Sequence, residues 1–355
     1  MIKISKPSIP NKKVFYKYID RIFKTRILTN NGPIIKEFES ALEKKYKIKN
    51  IVLTNSATNA LMICLKVFNI QKNVLTTPFT YRATANAAKF LNLNILFADI
   101  NSSTLNLNPS NIKSTILKNL EAIIPVHSFG IPSEIKKFDK FRKKGIKIIY
   151  DAAHCFGIKY NNKSILNYGD ASVVSLHATK VFNTCEGGLI VFKKKKDANK
   201  ARKLINIGLL DGVNNNVGIN CKLTEIQAAW GLSLLRKFPS DLKKRQKIFN
   251  MYKQKINTNV IKPTANLKEN NYSYFPIIFK SEKLLLNTIK NLKIKKIESR
   301  RYFYPSLNST KQYISKNSNP VSESLAKRII CLPMSSDYSE KEINKVIKII
   351  NTYSV

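Results

Sequence analysis

Short apolar runs alternate along this chain with stretches in which apolar residues return every three or four positions. The runs at residues 51–54, 74–77, 94–98, 122–126, 146–150, 171–176 and 188–192 are rich in β-branched residues and too short for helices, so they read as buried strands. Between them the helical period appears over 14–23, at Phe38, Leu42 and Tyr46, at Leu61, Cys64 and Leu65, in a helix begun by 78–86, and over 197–208. Strands and helices taking turns at such short intervals predict an α/β fold with a mostly parallel central sheet. Asn-Gly followed by Pro33 breaks the chain ahead of a helix, and 211–218 reads as a polar, flexible loop. Leu223, Ile226, Trp230 and Leu234 share one helical stripe, either core or subunit contact, and the pattern continues from 236 through Phe249 and Tyr252. Then the texture changes: 272–279 alternates like an edge strand, 284–292 is helical, and 294–298 is another short strand. The expected division is a large domain over 1–235, with 1–25 as a lead-in, and a smaller α+β domain over 236–355.

Composition narrows the setting. The chain has 355 residues, and 43% hydrophobic content is enough for a sizeable core. No window approaches the ~20 apolar residues of a membrane span, and Met1-Ile-Lys-Ile-Ser-Lys-Pro7 lacks the apolar centre of a signal peptide. The expectation is a cytoplasmic protein with no membrane partner. Cys64, Cys155, Cys185, Cys221 and Cys331 are scattered without a Cys-x-x-Cys pair, which argues for reduced thiols and against a metal site. A formal charge of +40 invites a nucleic-acid reading. Lysine, however, is spread through nearly every segment beside Asn and Ile, and Lys193-Lys-Lys-Lys196 falls where a strand ends. No nucleic-acid-binding signature accompanies it, so no nucleic-acid partner is expected.

The candidate chemistry sits between the last two strands of the first half. Lys180 lies on the connection between 171–176 and 188–192, and Glu186-Gly187-Gly188 turns the backbone sharply into the second strand. An amine held in a partly dry place has its pKa lowered, and a neutral lysine forms Schiff bases with aldehydes. In so lysine-rich a chain one lysine says little until it is paired with Asp151, which follows the strand at 146–150. Ligands of open α/β sheets bind outside the carboxyl ends of the strands, so Asp151 is aimed at a site. A carboxylate there either caps a helix or, beside a Schiff-base lysine, keeps a pyridine nitrogen protonated. After the strand at 51–54, Asn55-Ser-Ala-Thr58 opens a helix, where free N–H groups and the helix dipole can receive an anion.

Together these motifs resemble the DegT/DnrJ/EryC1/StrS family of sugar aminotransferases. Ser175-Leu-His-Ala-Thr-Lys180 and Glu186-Gly-Gly188 match the family's Ser-Phe-His-x-x-Lys-x-x-x-x-x-Glu-Gly-Gly, with Leu176 where Phe is usual, and the similarity runs over roughly residues 2–351. The resemblance implies the aspartate aminotransferase type I fold and pyridoxal 5′-phosphate (PLP) as cofactor, bound in the large domain. Lys180 would hold the cofactor and later shuttle a proton, and Asp151 would meet the pyridine nitrogen. Ala57, Thr58 and Ser175 would bind the phosphate. Tyr81 would stack on the ring, unless it is a half-buried core tyrosine. His154 stands where many relatives carry Gln beside the cofactor hydroxyl, and His127 matches the family's Pro-Val-His, where a functional and a purely structural role both stay open.

By the same resemblance the protein is a homodimer with shared active sites. Asn220 would reach the phosphate of the neighbouring subunit, although Asn220-Cys-Lys222 replaces the usual Asn-Tyr-Arg. A branch making 4-amino-4,6-dideoxyglucose nucleotides shares Gly-Ile-Asn-x-Lys and His-Ala-Thr-Lys with this chain. That branch implies a nucleotide-linked 4-keto-6-deoxysugar acceptor, best matched by dTDP-4-keto-6-deoxyglucose, and glutamate as amino-acid donor; a 3-keto or UDP-linked N-acetyl sugar is the alternative. Glu186, Arg301 and Tyr302 are the candidate substrate residues. The basic, aromatic cluster Arg300-Arg-Tyr-Phe-Tyr304 either grips a nucleotide diphosphate or forms a domain interface. A related class of deoxysugar 3-dehydratases carries His in place of the lysine, and Lys180 argues against it. The intact lysine, aspartate and Glu-Gly-Gly set argues against a non-catalytic relative.

Overall fold

The structure is a computed structural model, and it describes all residues except 211, 212, 215, 216, 258, 259, 262–269, 314–317 and 355. Its centre is a sheet of β1 (Ile51–Thr54), β2 (Asn73–Thr76), β3 (Asn94–Phe97), β4 (Leu120–Ile123), β5 (Lys147–Asp151), β8 (Ala171–Ser175) and β9 (Gly188–Phe192), in the order β1-β9-β8-β5-β4-β2-β3. Between β5 and β8 lies a small hairpin, β6 (Lys159–Tyr160) with β7 (Lys163–Ser164). The neighbours from β8 to β3 run parallel, whereas β9 is antiparallel to both β8 and β1. An antiparallel neighbour needs no crossover helix. The β8–β9 connection is therefore free to lie over the carboxyl edge of the sheet, where it delivers Lys180.

Helices α1 (Lys12–Thr25), α2 (Pro33–Tyr46), α3 (Ala57–Val67), α4 (Arg82–Lys89), α5 (Ser114–Leu117), α6 (Ile135–Lys143) and α7 (Lys195–Leu204) surround this sheet. Two cores result, one around Phe38, Ile148 and Leu189 and the other around Leu61, Val74 and Ile190. Short strands β10 (Leu209–Leu210) and β11 (Val213–Asn214) pair with each other, and α8 (Glu225–Lys255) then leaves the large domain. A capping box of Thr224 and Gln227 starts α8. The small domain pairs β12 (Phe275–Ile278) with β13 (Ile329–Leu332) and adds α9 (Glu282–Ile294), α10 (Pro320–Arg328) and α11 (Glu340–Tyr353). Among the described residues no helix is long and apolar enough to cross a membrane.

Several expectations are corrected. The alternating edge strand expected over 272–279 is shorter and buried on both faces: only Phe275–Ile278 forms β12, which pairs with β13 in a two-stranded sheet, and Phe275 and Ile277 face one core while Ile278 faces another. Residues 294–298 form no strand. Ile294 ends α9, and Ile297 makes only an isolated parallel bridge to Ile2. The helix expected from 78–86 begins at Arg82, with Tyr81 as its N-cap. The stripe near 223–234 is split, since Leu223 precedes α8, Leu234 is buried and Ile226 is half exposed. The division proposed between 235 and 236 falls inside α8, whose Leu235 and Phe238 join the large core while Ile248 and Tyr252 join the small one. Much of the 211–218 loop lies outside the described residues.

Candidate active site

At the carboxyl ends of β5 and β8 the chain forms a cleft walled by Ala57, Thr58, Tyr81, Asp151, His154, Ser175, Lys180, Glu186 and Tyr302, all expected from the sequence. Asp151 is the last residue of β5 and is buried. Its Oδ2 accepts from the Thr84 hydroxyl at 2.7 Å and its Oδ1 from the Ala153 amide at 3.0 Å. Burial raises its proton affinity, and those two hydrogen bonds, together with the charge of Lys180, work the other way. Lys180 is half-buried on the β8–β9 connection, and its Nζ donates to the Tyr274 hydroxyl at 3.3 Å. Burial lowers its pKa, against opposition from Tyr302, Asp151 and Tyr81, which is the direction expected from the sequence.

The anion-binding end is built by close backbone approach. Ser56 caps α3 by accepting from the Asn59 amide at 3.1 Å, which leaves the Ala57 and Thr58 amides ahead of the first helical bond and free for a ligand. The Asn55 amide donates to the Cys221 carbonyl at 2.8 Å, which ties this turn to the segment before α8. A Cβ on Gly188 would stand 2.5 Å from the Ser56 carbonyl oxygen, so only glycine lets β9 start beside the turn. Buried Ser175 ends β8 on the same side.

His154 is buried and its Nδ1 accepts from the Phe129 amide at 3.1 Å, which puts its ring proton on Nε2. Burial holds its pKa well below the usual value, and the Lys180 charge adds to this, so it is neutral. Tyr81 is 61% exposed at the cleft rim rather than packed as core. The Glu186 carboxylate lies 3.4 Å from His177 Nε2, and its backbone carbonyl accepts from Gln227 Nε2 at 2.9 Å. His127 is fully buried, stacks on Tyr150 at 4.6 Å and takes the Ser133 amide on Nδ1 at 3.0 Å, in keeping with structural use.

Two expected residues stand elsewhere. Arg301 is turned away from the cleft: its Nη2 donates to Glu282 at 2.7 Å and to the Lys327 carbonyl at 3.0 Å, and its guanidinium stacks on Tyr304 at 3.4 Å. Successive residues in extended chain point oppositely, so Arg300 takes the inward place, lining the cleft and donating to the Tyr302 hydroxyl at 3.1 Å. Exposed Asn220 is outside its own chain's cleft, where its Oδ1 accepts from Lys222 Nζ at 2.8 Å. Sequence reasoning also missed Thr84 and Tyr274. Thr84 follows Tyr81 by one helical turn, a spacing that could have revealed it; Tyr274 lies 94 positions from Lys180 and offered no local signal.

Comparison with known proteins agrees with this geometry. The sequence profile of the DegT/DnrJ/EryC1/StrS aminotransferase family matches residues 11–351. The chain is 34% identical to a dTDP-4-amino-4,6-dideoxy-D-glucose transaminase of Shigella dysenteriae and 32% identical to one of Escherichia coli, with 98% of each chain covered in both cases. Its fold superimposes on the crystal structure of DesI, determined in the presence of its TDP-sugar product, with a TM-score of 0.92 and 27% identity, over 98% of this chain and 91% of that one. The chain belongs to the DegT/DnrJ/EryC1/StrS aminotransferase family.

Proposed function

We propose that this aminotransferase uses PLP to move an amino group from glutamate to a nucleotide-linked 4-keto-6-deoxysugar, with dTDP-4-keto-6-deoxyglucose as its acceptor. The observation that carries the reading is the presence of Lys180, Asp151 and the open N-terminus of α3 in one cleft. The residues fit the cofactor: two free amides and Ser175 suit a phosphate, a buried carboxylate suits a protonated ring nitrogen, and a lysine of lowered pKa suits an aldehyde. When bound, PLP supplies an electron sink for a carbanion next to the transferred nitrogen.

The chain's own residues do the rest. Lys180 would hold the cofactor's aldehyde carbon and, as a free amine, would be placed to carry a proton at the donor Cα. Asp151 would keep a proton on the ring nitrogen. His154, neutral and with its proton on Nε2, offers a hydrogen bond to the cofactor hydroxyl, and Tyr81 covers the ring face from the rim. Glu186 and Tyr302 line the approach of the substrate, and Arg300 faces its anionic part in place of Arg301.

Transaminases of dTDP-4-amino-4,6-dideoxy-D-glucose among the relatives support the choice of sugar. A soluble cytoplasmic homodimer in which Asn220 completes the neighbour's phosphate cup accompanies the proposal. Incubation with a panel of nucleotide keto-sugars and glutamate, read by mass spectrometry, tests it. Amination of dTDP-4-keto-6-deoxyglucose at C4 is expected; preference for a 3-keto isomer or a UDP-linked N-acetyl sugar contradicts the assigned acceptor.

A further inference from the structure

Lys180 is met in the cleft by a residue of the small domain. Its Nζ donates to the phenol oxygen of Tyr274, on the segment that leads into β12. That segment is tied down close by. Buried Asn271 donates through Nδ2 to the carbonyls of His154 at 2.8 Å and Phe156 at 3.0 Å, and its Oδ1 accepts from the Ser273 amide and hydroxyl at 3.1 and 2.7 Å. The Tyr274 ring is held by His154, 4.4 Å away between centroids, and edge-on by Tyr302 and Phe129 at 5.7 and 6.0 Å. The strap 271–274 is thus fixed to the loop that follows Asp151, and it aims a hydroxyl at the amine.

We propose that Tyr274 is a positioning residue for Lys180: its hydroxyl parks the amine whenever the amine is free, and Asn271 fixes the strap that carries it. The proposal rests on the reading of Lys180 as the reactive amine. An amine on four rotatable bonds loses its orientation whenever it is not covalently engaged, and a fixed acceptor restores it.

The contact also has an electrostatic sign. A neutral oxygen that accepts from an ammonium stabilises the charged form. The other groups facing the amine are Asp151 from β5, Tyr81 from the start of α4, His154 from the loop after β5, and Arg300 and Tyr302 from across the cleft. Tyr274→Phe leaves all of these in place and keeps the ring contacts, removing only the hydroxyl.

The test measures acylation of Lys180 by acetic anhydride in cofactor-free protein, resolved by peptide and followed across pH. In Tyr274→Phe the midpoint for Lys180 should fall by about one pH unit, so labelling below the midpoint becomes about tenfold faster. In the loaded enzyme kcat should drop while KM for both substrates holds. A purely structural role would not make the amine more reactive and the enzyme slower together. Asn271→Ala should shift the midpoint the same way, and the double variant should add little to Tyr274→Phe, as expected for residues acting through one contact. Should Asn271→Ala fail to fold, Tyr274→Phe alone decides. An unchanged Lys180 midpoint in Tyr274→Phe overturns the proposal. The reading of Lys180 itself fails by a different result, cofactor fixed by borohydride on another lysine.

Discussion

The Thr84 hydroxyl donates a 2.7 Å hydrogen bond to Asp151 Oδ2, joining α4 to the end of β5 across the floor of the cleft. Thr80 lies 2.8 Å from the same hydroxyl, so a short chain of groups supports a buried carboxylate. Removing one partner of a buried acceptor costs about 1–3 kcal/mol. Thr84→Val should therefore raise the proton affinity of Asp151 and weaken PLP retention by about tenfold or more, a change worth ~1.4 kcal/mol. Spectroscopic titration with PLP checks this, and unchanged affinity contradicts it. Asp151→Ala should lower turnover by at least about 10²-fold, the scale on which a pre-placed charge acts.

Gly188 marks the closest approach of β9 to the anion-binding turn. A methyl group there would sit 2.5 Å from both the Ser56 carbonyl oxygen and Thr54 Oγ1, so the start of α3 must shift. Gly188→Ala should cost about 1–3 kcal/mol of stability, as overpacking does, and lower cofactor affinity with it. Thermal melts with and without PLP measure both. A variant matching the parent in both would show that the turn is not held as described.

Arg300 and Arg301 should separate cleanly. Arg300→Ala should raise KM for the nucleotide sugar by about tenfold, ~1.4 kcal/mol, with kcat nearly unchanged, because a contact remote from the chemistry acts about equally in ground and transition states. Arg301→Ala should leave KM alone and lower the melting temperature, since it removes charge-assisted bonds to Glu282 and Lys327. The reverse pattern in steady-state kinetics and melting would restore Arg301 as the substrate residue.

Lys180 carries a stability cost whose size depends on pH. Burial depresses its folded pKa below the unfolded value near 10.5. The folded state then binds fewer protons than the unfolded one between those two pKa values, so its stability rises with pH across that window. Cofactor-free Lys180→Met should melt a few degrees above the parent at pH 7, and the gap should close as pH approaches the unfolded lysine value. A gap that widens with pH contradicts the assignment.

Most of the sheet was legible because buried parallel strands are written as continuous apolar runs, and the cleft because Asp151, Lys180 and Glu186-Gly-Gly188 belong to local motifs. What the sequence hid depends on contacts made far along the chain. Tyr274 meets Lys180 only through the small domain, and nothing local shows that two cores cover both faces of the edge strand β12. The choice between Arg300 and Arg301 turned on which of two adjacent side chains points inward. That depends on the antiparallel bridge of Arg300 to Cys331, a contact made across 31 residues that neither arginine reveals by itself.

The central claim is that Lys180 is the amine that holds the cofactor. PLP added to the purified protein, followed by borohydride and peptide mapping, tests it most directly. The account predicts one pyridoxyl group per chain, fixed on the peptide that contains Lys180, and none in Lys180→Ala. Label on any other lysine, or undiminished label in Lys180→Ala, would contradict it.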